Sequence, residues 1–138
     1  MDDVEAMKTL SVDHLVLNVQ DVEASAGWYT RALGMNREEK ATSGGASRTS
    51  LRFGSQKINL RPVHASQEEW FTARMPRAGG DDMCFLVDLA PEAVVAHLLA
   101  LGIEVELGPV TKHGAEGPII SVYCRDPDGN LVELASYR

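Results

Sequence analysis

Two stretches decide how this chain is read: Val12-Asp13-His14-Leu15-Val16-Leu17-Asn18-Val19 and Asp82-Met83-Cys84-Phe85-Leu86-Val87-Asp88-Leu89, in which His14 and Asp82 stand 68 residues apart. Each is short and largely apolar, the pattern of a strand. After the first comes Asp21, a good helix N-cap, then Val22, Ala26, Tyr29 and Leu33 at the spacing of one helix face, then Gly34 where helices like to stop. After the second, Pro91 stands where a helix tolerates a missing N–H, Val94, Leu98 and Leu101 form the stripe, and Gly102 ends it. Gly34 and Gly102 are also 68 residues apart, about half the chain, which reads as an internal duplication.

Three further strands are expected after each helix: residues 35–42, 48–53 and 57–62 in the first half, and 103–110, 119–125 and 131–136 in the second. Ser43-Gly44-Gly45, Gly54-Ser55 and Asp126-Pro127-Asp128-Gly129-Asn130 are the turns. The predicted architecture is a single α+β domain over 1–138, made of two tandem βαβββ modules (about 10–62 and 81–138) joined by a linker over about 63–80 that holds Trp70-Phe71 and has room for a short helix. One helix covers only one face of a four-stranded sheet, so two modules side by side should give a curved mixed sheet around a central cavity, helices outside. The linker is long enough to serve as a lid or a subunit contact.

Strand alternation sorts the faces. Leu15, Leu17, Val19, Ile58, Leu60, Met83, Phe85, Val87, Val132 and Leu134 should lie under the helices. The opposite face then carries His14, Asn59, Arg61, Asp82 and Glu133 among Val16, Cys84, Leu86, Leu131 and Ala135. Taken singly, each polar residue is also what a solvated face would hold. Apolar walls with a few convergent polar groups, however, describe a small-molecule pocket. Trp28 and Tyr29 on the helix are expected in the core, and Tyr123 either lines the pocket or packs.

Thirteen basic and twenty acidic residues give a net charge of −7. With no Lys/Arg-rich run, nucleic acid is not an expected partner. No apolar run is long enough for a spanning helix, and the acidic start Met1-Asp2-Asp3 is unlike a secretory leader, so no membrane association is expected and a cytoplasmic protein is. Cys84 and Cys124 have no metal-site spacing and read as free, buried thiols.

Asp13-His14-Leu15, Trp28-Tyr29-Thr30-Arg31-Ala32-Leu33-Gly34 and Asp126-Pro127-Asp128-Gly129-Asn130-Leu131-Val132-Glu133-Leu134 resemble the glyoxalase/bleomycin-resistance/extradiol-dioxygenase group, the vicinal-oxygen-chelate superfamily, from about residue 12 to 136. Lys57-Ile58-Asn59-Leu60 and Gly117-Pro118-Ile119-Ile120-Ser121 are most similar to glyoxalase-domain-containing proteins of unassigned substrate. The resemblance implies a lactoylglutathione-lyase-like or dioxygenase-like metalloenzyme, a lyase, isomerase or dioxygenase for a small oxygen-rich molecule, commonly a homodimer. His14 and Glu133 match ligand positions for a divalent metal (Mn, Fe, Ni or Zn), with Asp82 standing where relatives often have His and Arg61 where others supply an acid. Glu133 would also act in catalysis, while Arg61, Asn59 and Tyr123 would bind substrate, Arg61 by clamping an anionic group. The same fold implies an alternative, a metal-free drug-binding protein of the bleomycin-resistance kind.

Overall fold

A computed structural model describes residues 4–138; Met1-Asp2-Asp3, the start read as unlike a leader, lies outside the described residues. The element order is β1 (His14–Val19), α1 (Val22–Leu33), β2 (Asn36–Ala41), β3 (Ser47–Phe53), β4 (Gln56–Pro62), β5 (Asp82–Leu86), α2 (Pro91–Ala100), β6 (Leu107–Gly114), β7 (Gly117–Arg125) and β8 (Leu131–Tyr137). The caps follow the sequence. Asp21 accepts the Ala24 N–H at 3.0 Å, Pro91 opens α2, and Gly34 and Gly102 take left-handed φ of 67° and 73°.

The strands form two four-stranded mixed sheets, ordered β1-β4-β3-β2 and β5-β8-β7-β6. In each, the first strand pairs in parallel with the fourth and the remaining pairs are antiparallel. This identical wiring is the duplication in three dimensions. β1 and β5 are the inner margins of the two sheets, and a cavity of about 160 Å³ between them is lined by Leu15, Val16 and Leu17 on one side and Asp82 and Met83 on the other. β2 and β6 are the outer margins.

Leu17, Val19, Tyr29, Leu51, Ile58, Leu60, Leu98, Val122, Val132 and Leu134 make one core that runs through both modules. The modules are locked at its edge. Tyr29 in α1 donates to Asp126 Oδ2 at 2.7 Å, and the same carboxylate takes the Asp128 and Asn130 N–H groups and the Asn130 side-chain amide. Asn130 Oδ1 in turn accepts the Asp81 N–H at 2.8 Å. Gly79 sits so close to this turn that a Cβ there would meet the Asp128 carbonyl at 2.4 Å. The Asp126–Asn130 turn is thus a clasp as well as a reversal.

Several expectations are corrected. Leu15 is 51% exposed, because it stands at the free margin of β1 beyond the helices' cover. Cys84 is exposed on the open face of β5, whereas Cys124 is buried. β5 ends at Leu86, and β6 begins at Leu107 and runs to Gly114, four residues later than its apolar run suggested. The reason is that Ile103 and Val105 pack on the core as irregular chain, while polar Thr111-Lys112-His113 is tolerated in an outer-margin strand. The segment between β4 and β5 contains turns and no helix. None of the helices is long and apolar enough to cross a membrane among the described residues.

Candidate functional site

β8 presents Glu133 on the open face of the second sheet, with Cys84 beside it on β5 and Tyr123 beside it on β7. Ser121, diagonal on β7, donates its hydroxyl to Glu133 Oε2 at 2.5 Å. The neighbours record this carboxylate. The Tyr123 phenol is pushed up to about 12, first by burial and then by its hydrogen bond and proximity to Glu133. The Cys84 thiol is pushed up to about 11, first by burial and then by the charges of Glu133 and Asp82. A thiol held protonated in this way is a poor nucleophile. Glu133 therefore stands as an oriented acceptor surrounded by groups that keep their protons.

His14 opens β1, its side chain 45% exposed, and its Nδ1 lies 2.8 Å from Asp13 Oδ1. It shares a cavity of about 300 Å³ with Asp82 and Cys84 across the inner margins. Glu133 is not in that lining. No group of three His, Cys, Asp or Glu side chains stands close enough to hold one metal ion among the described residues, so His14, Asp82 and Glu133 do not form a ligand cluster within one chain.

Asn59 on β4 is half-buried and accepts the Ser50 hydroxyl at 2.7 Å. Arg61, two residues on, is wholly buried at 0% exposure. Its Nε donates to the Trp70 carbonyl at 3.1 Å, Nη1 to Asn18 Oδ1 at 2.9 Å and Nη2 to the Ala65 carbonyl at 2.6 Å, with longer contacts to the carbonyls of Pro62, Val63 and Ser66. An arginine has only these donors to give. In place of a substrate clamp, the structure shows an anchor that ties the β4–β5 linker to the sheet.

That linker builds a cavity of about 790 Å³, whose walls include Val16, Asn18, Phe71, Met75, Arg77 and Asp81. Val16 and Asn18 follow His14 along the same face of β1. Asn18 and Ser121 were not singled out from sequence. Alternation places Asn18 in the row with His14 and Ser121 in the row with Tyr123, but nothing in the pattern separates either from an ordinary polar strand residue.

Residues 11–134 match the family model described as the glyoxalase/bleomycin resistance protein/dioxygenase superfamily. The chain is 43% identical to the glyoxalase domain-containing protein RDO1 of Mycosarcoma maydis over 129 residues, covering 93% of this chain and 69% of that one. It is 40% identical over 126 residues to virulence protein STM3117 of Salmonella typhimurium, covering 91% of this chain and 83% of that one. The crystal structure of STM3117 superposes with a TM-score of 0.85 over 96% of this chain and all of that one, at 38% identity. Two more distant structures share the fold alone. One is a lactoylglutathione lyase from Agrobacterium tumefaciens, with TM-score 0.67, 24% identity, and coverage of 94% and 95% of the two chains. The other is TnmS3, an antibiotic-binding protein from Streptomyces, with TM-score 0.72, 20% identity, and coverage of 96% and 100%. With the repeated sheet wiring and a match over nearly its whole length, the chain belongs to the glyoxalase/bleomycin resistance protein/dioxygenase superfamily.

Proposed function

We propose that this chain is a metal-dependent lyase, isomerase or dioxygenase acting on a small oxygen-rich molecule, with Glu133 as its central acid–base group. The observation that carries the reading is the Ser121–Glu133 hydrogen bond of 2.5 Å. It fixes a carboxylate on an open sheet face among protonated neighbours, the setting in which a carboxylate can move a substrate proton. Tyr123 stands directly opposite Glu133 in register, which supports a substrate-binding role for it on the same face. Asn59 holds the matching slot of the first module and is a neutral partner for a substrate hydroxyl.

A divalent metal, Mn, Fe, Ni or Zn, suits the donor chemistry of His14, Asp82 and Glu133, although these three do not assemble within one chain. When bound, such a metal supplies Lewis-acid stabilisation of an oxyanion. We infer that a homodimer completes the set. His14 is half exposed, and beside it Val12 and Leu15 are bare, a surface that a second copy in the cytoplasm would cover. The test is elemental analysis of protein purified without chelator. The wild type should hold metal and Glu133→Gln should lose it along with turnover, whereas equal metal in both proteins overturns the reading.

A metal-free drug-binding role is the second reading, favoured by the wide linker cavity and the net charge of −7, which suits a cationic ligand. A thermal shift with a cationic glycopeptide and none with Mn or Ni would replace the first reading by this one.

A further inference from the structure

We propose that Asn18 and Arg77 form a subsite for an anionic oxygen group, carboxylate or phosphonate, on the small molecule that this chain takes up. The proposal shares with the reading above only the premise that a small molecule occupies the open face of β1.

The argument starts at Arg61. Because a guanidinium donates and never accepts, its bond to Asn18 at 2.9 Å fixes which end of the amide is oxygen. The Asn18 NH2 group is therefore turned away from Arg61. Asn18 is only 8% exposed, it lines the 790 Å³ cavity, and its Nδ2 makes no hydrogen bond among the described residues. It is also absent from the sealed, unpartnered atoms, of which Ser25 Oγ is the sole example among the described residues. The donor thus opens onto the cavity rather than into packed atoms. The amide therefore offers an unused donor to whatever occupies the cavity, and a ligand acceptor there would take the place of solvent.

Arg77 supplies the charge. It is the one Lys or Arg in that cavity wall, and it has no ion pair or hydrogen bond among the described residues. Its aliphatic stem lies against Gly80, where a Cβ would stand 3.5 Å from Arg77 Cδ. Arg61 is consumed as an anchor, and the linker that it anchors carries Arg77, an exposed guanidinium without a partner among the described residues. Val16 and Pro76 add apolar surface, Phe71 and Met75 are 88% and 82% exposed and so are available to a ligand's apolar body, and Asp81 adds one acceptor for a hydroxyl or amine. The ligand class that fits is a small acid with an apolar body, its anionic oxygens toward Asn18 and Arg77.

The test is an NMR titration of the full chain in EDTA with three probes of similar shape: phenylacetate, phenylphosphonate and neutral phenylacetamide. At least one anion should bind about tenfold more tightly than the amide, and the tighter anion identifies the group. Its binding should move the Asn18 side-chain amide signals. Arg77→Gln should erase the preference for the anion. Asn18→Asp keeps an acceptor for Arg61 while removing the donor, and should erase it as well. Equal affinity for all three probes, or a preference that survives both substitutions, overturns the proposal. Because EDTA is present, the outcome is independent of metal. An intact anion preference with unchanged metal content in Glu133→Gln would sink the enzyme reading and leave this subsite standing.

Discussion

Asn59 and Glu133 occupy the same slot in the two modules, since Asn59 pairs with Val16 as Glu133 pairs with Cys84. Each accepts a serine hydroxyl, Asn59 from Ser50 at 2.7 Å and Glu133 from Ser121 at 2.5 Å. One step along the strand the modules part. Arg61 is a buried cation feeding the linker carbonyls, whereas its counterpart Ala135 is a buried methyl group. A duplicated backbone thus carries a division of labour. The first module spends its cation on holding a wall in place next to a neutral amide. The second keeps a carboxyl group that makes no ion pair among the described residues.

The largest effect should come from removing the anchor. Arg61→Leu leaves Asn18 and the carbonyls of Ala65 and Trp70 without their donor, and should lower unfolding stability by about 4 kcal/mol in urea titration. It should also open residues 63–80 to protease. If stability is unchanged, the linker is held by something else and the contrast between the modules fails. Tyr29→Phe, which strips one donor from the buried Asp126 carboxylate, should cost about 1–2 kcal/mol. A smaller and more local effect sharpens the other side of the contrast. The folded state raises the Cys84 thiol to about 11, so it keeps its proton where an unfolded thiol has lost it; the associated stability is complete below the ordinary thiol range and disappears as pH climbs through about 11. Alkylation of Cys84 should therefore follow a midpoint near 11 in the wild type. In Glu133→Asn, which gives the second module the first module's residue, that midpoint should fall toward the ordinary value, burial and the Asp82 charge sustaining what is left of the shift. A midpoint that does not move would show that Glu133 exerts no field on the open face.

The fold was legible because its signals are local and repeated. Asp21, Pro91, Gly34 and Gly102 mark helix ends by backbone chemistry that needs no tertiary context, and the 68-residue offset ties the halves together. Alternation also sorted the faces correctly for Leu17, Ile58, Leu60, Val132 and Leu134. It failed for Leu15 because alternation tells which way a side chain points and not whether a helix reaches that far. The site was less legible. Arg61 and Glu133 both lie on the open face by pattern, and only the folded chain brings backbone carbonyls to the donors of Arg61. Carbonyl positions leave no trace in a sequence, so a clamp and an anchor read alike. Asn18 illustrates the converse, since its free amide exists only because a distant arginine fixes its other end.

The two margins of the first sheet are dressed differently. On the outside, β2 presents Arg37, Glu38, Glu39 and Lys40, with Arg37 paired to Glu23 and Glu39 and Arg52 to Glu38. Such a charged rim discourages a foreign strand from adding to the sheet. The inner margins, His-Leu-Val-Leu-Asn-Val in β1 and Asp-Met-Cys-Phe-Leu in β5, carry no such protection. The shared core and the Tyr29–Asp126 clasp hold the halves over these margins, so a lesion at that clasp should appear first as aggregation on warming, before any loss of helix signal.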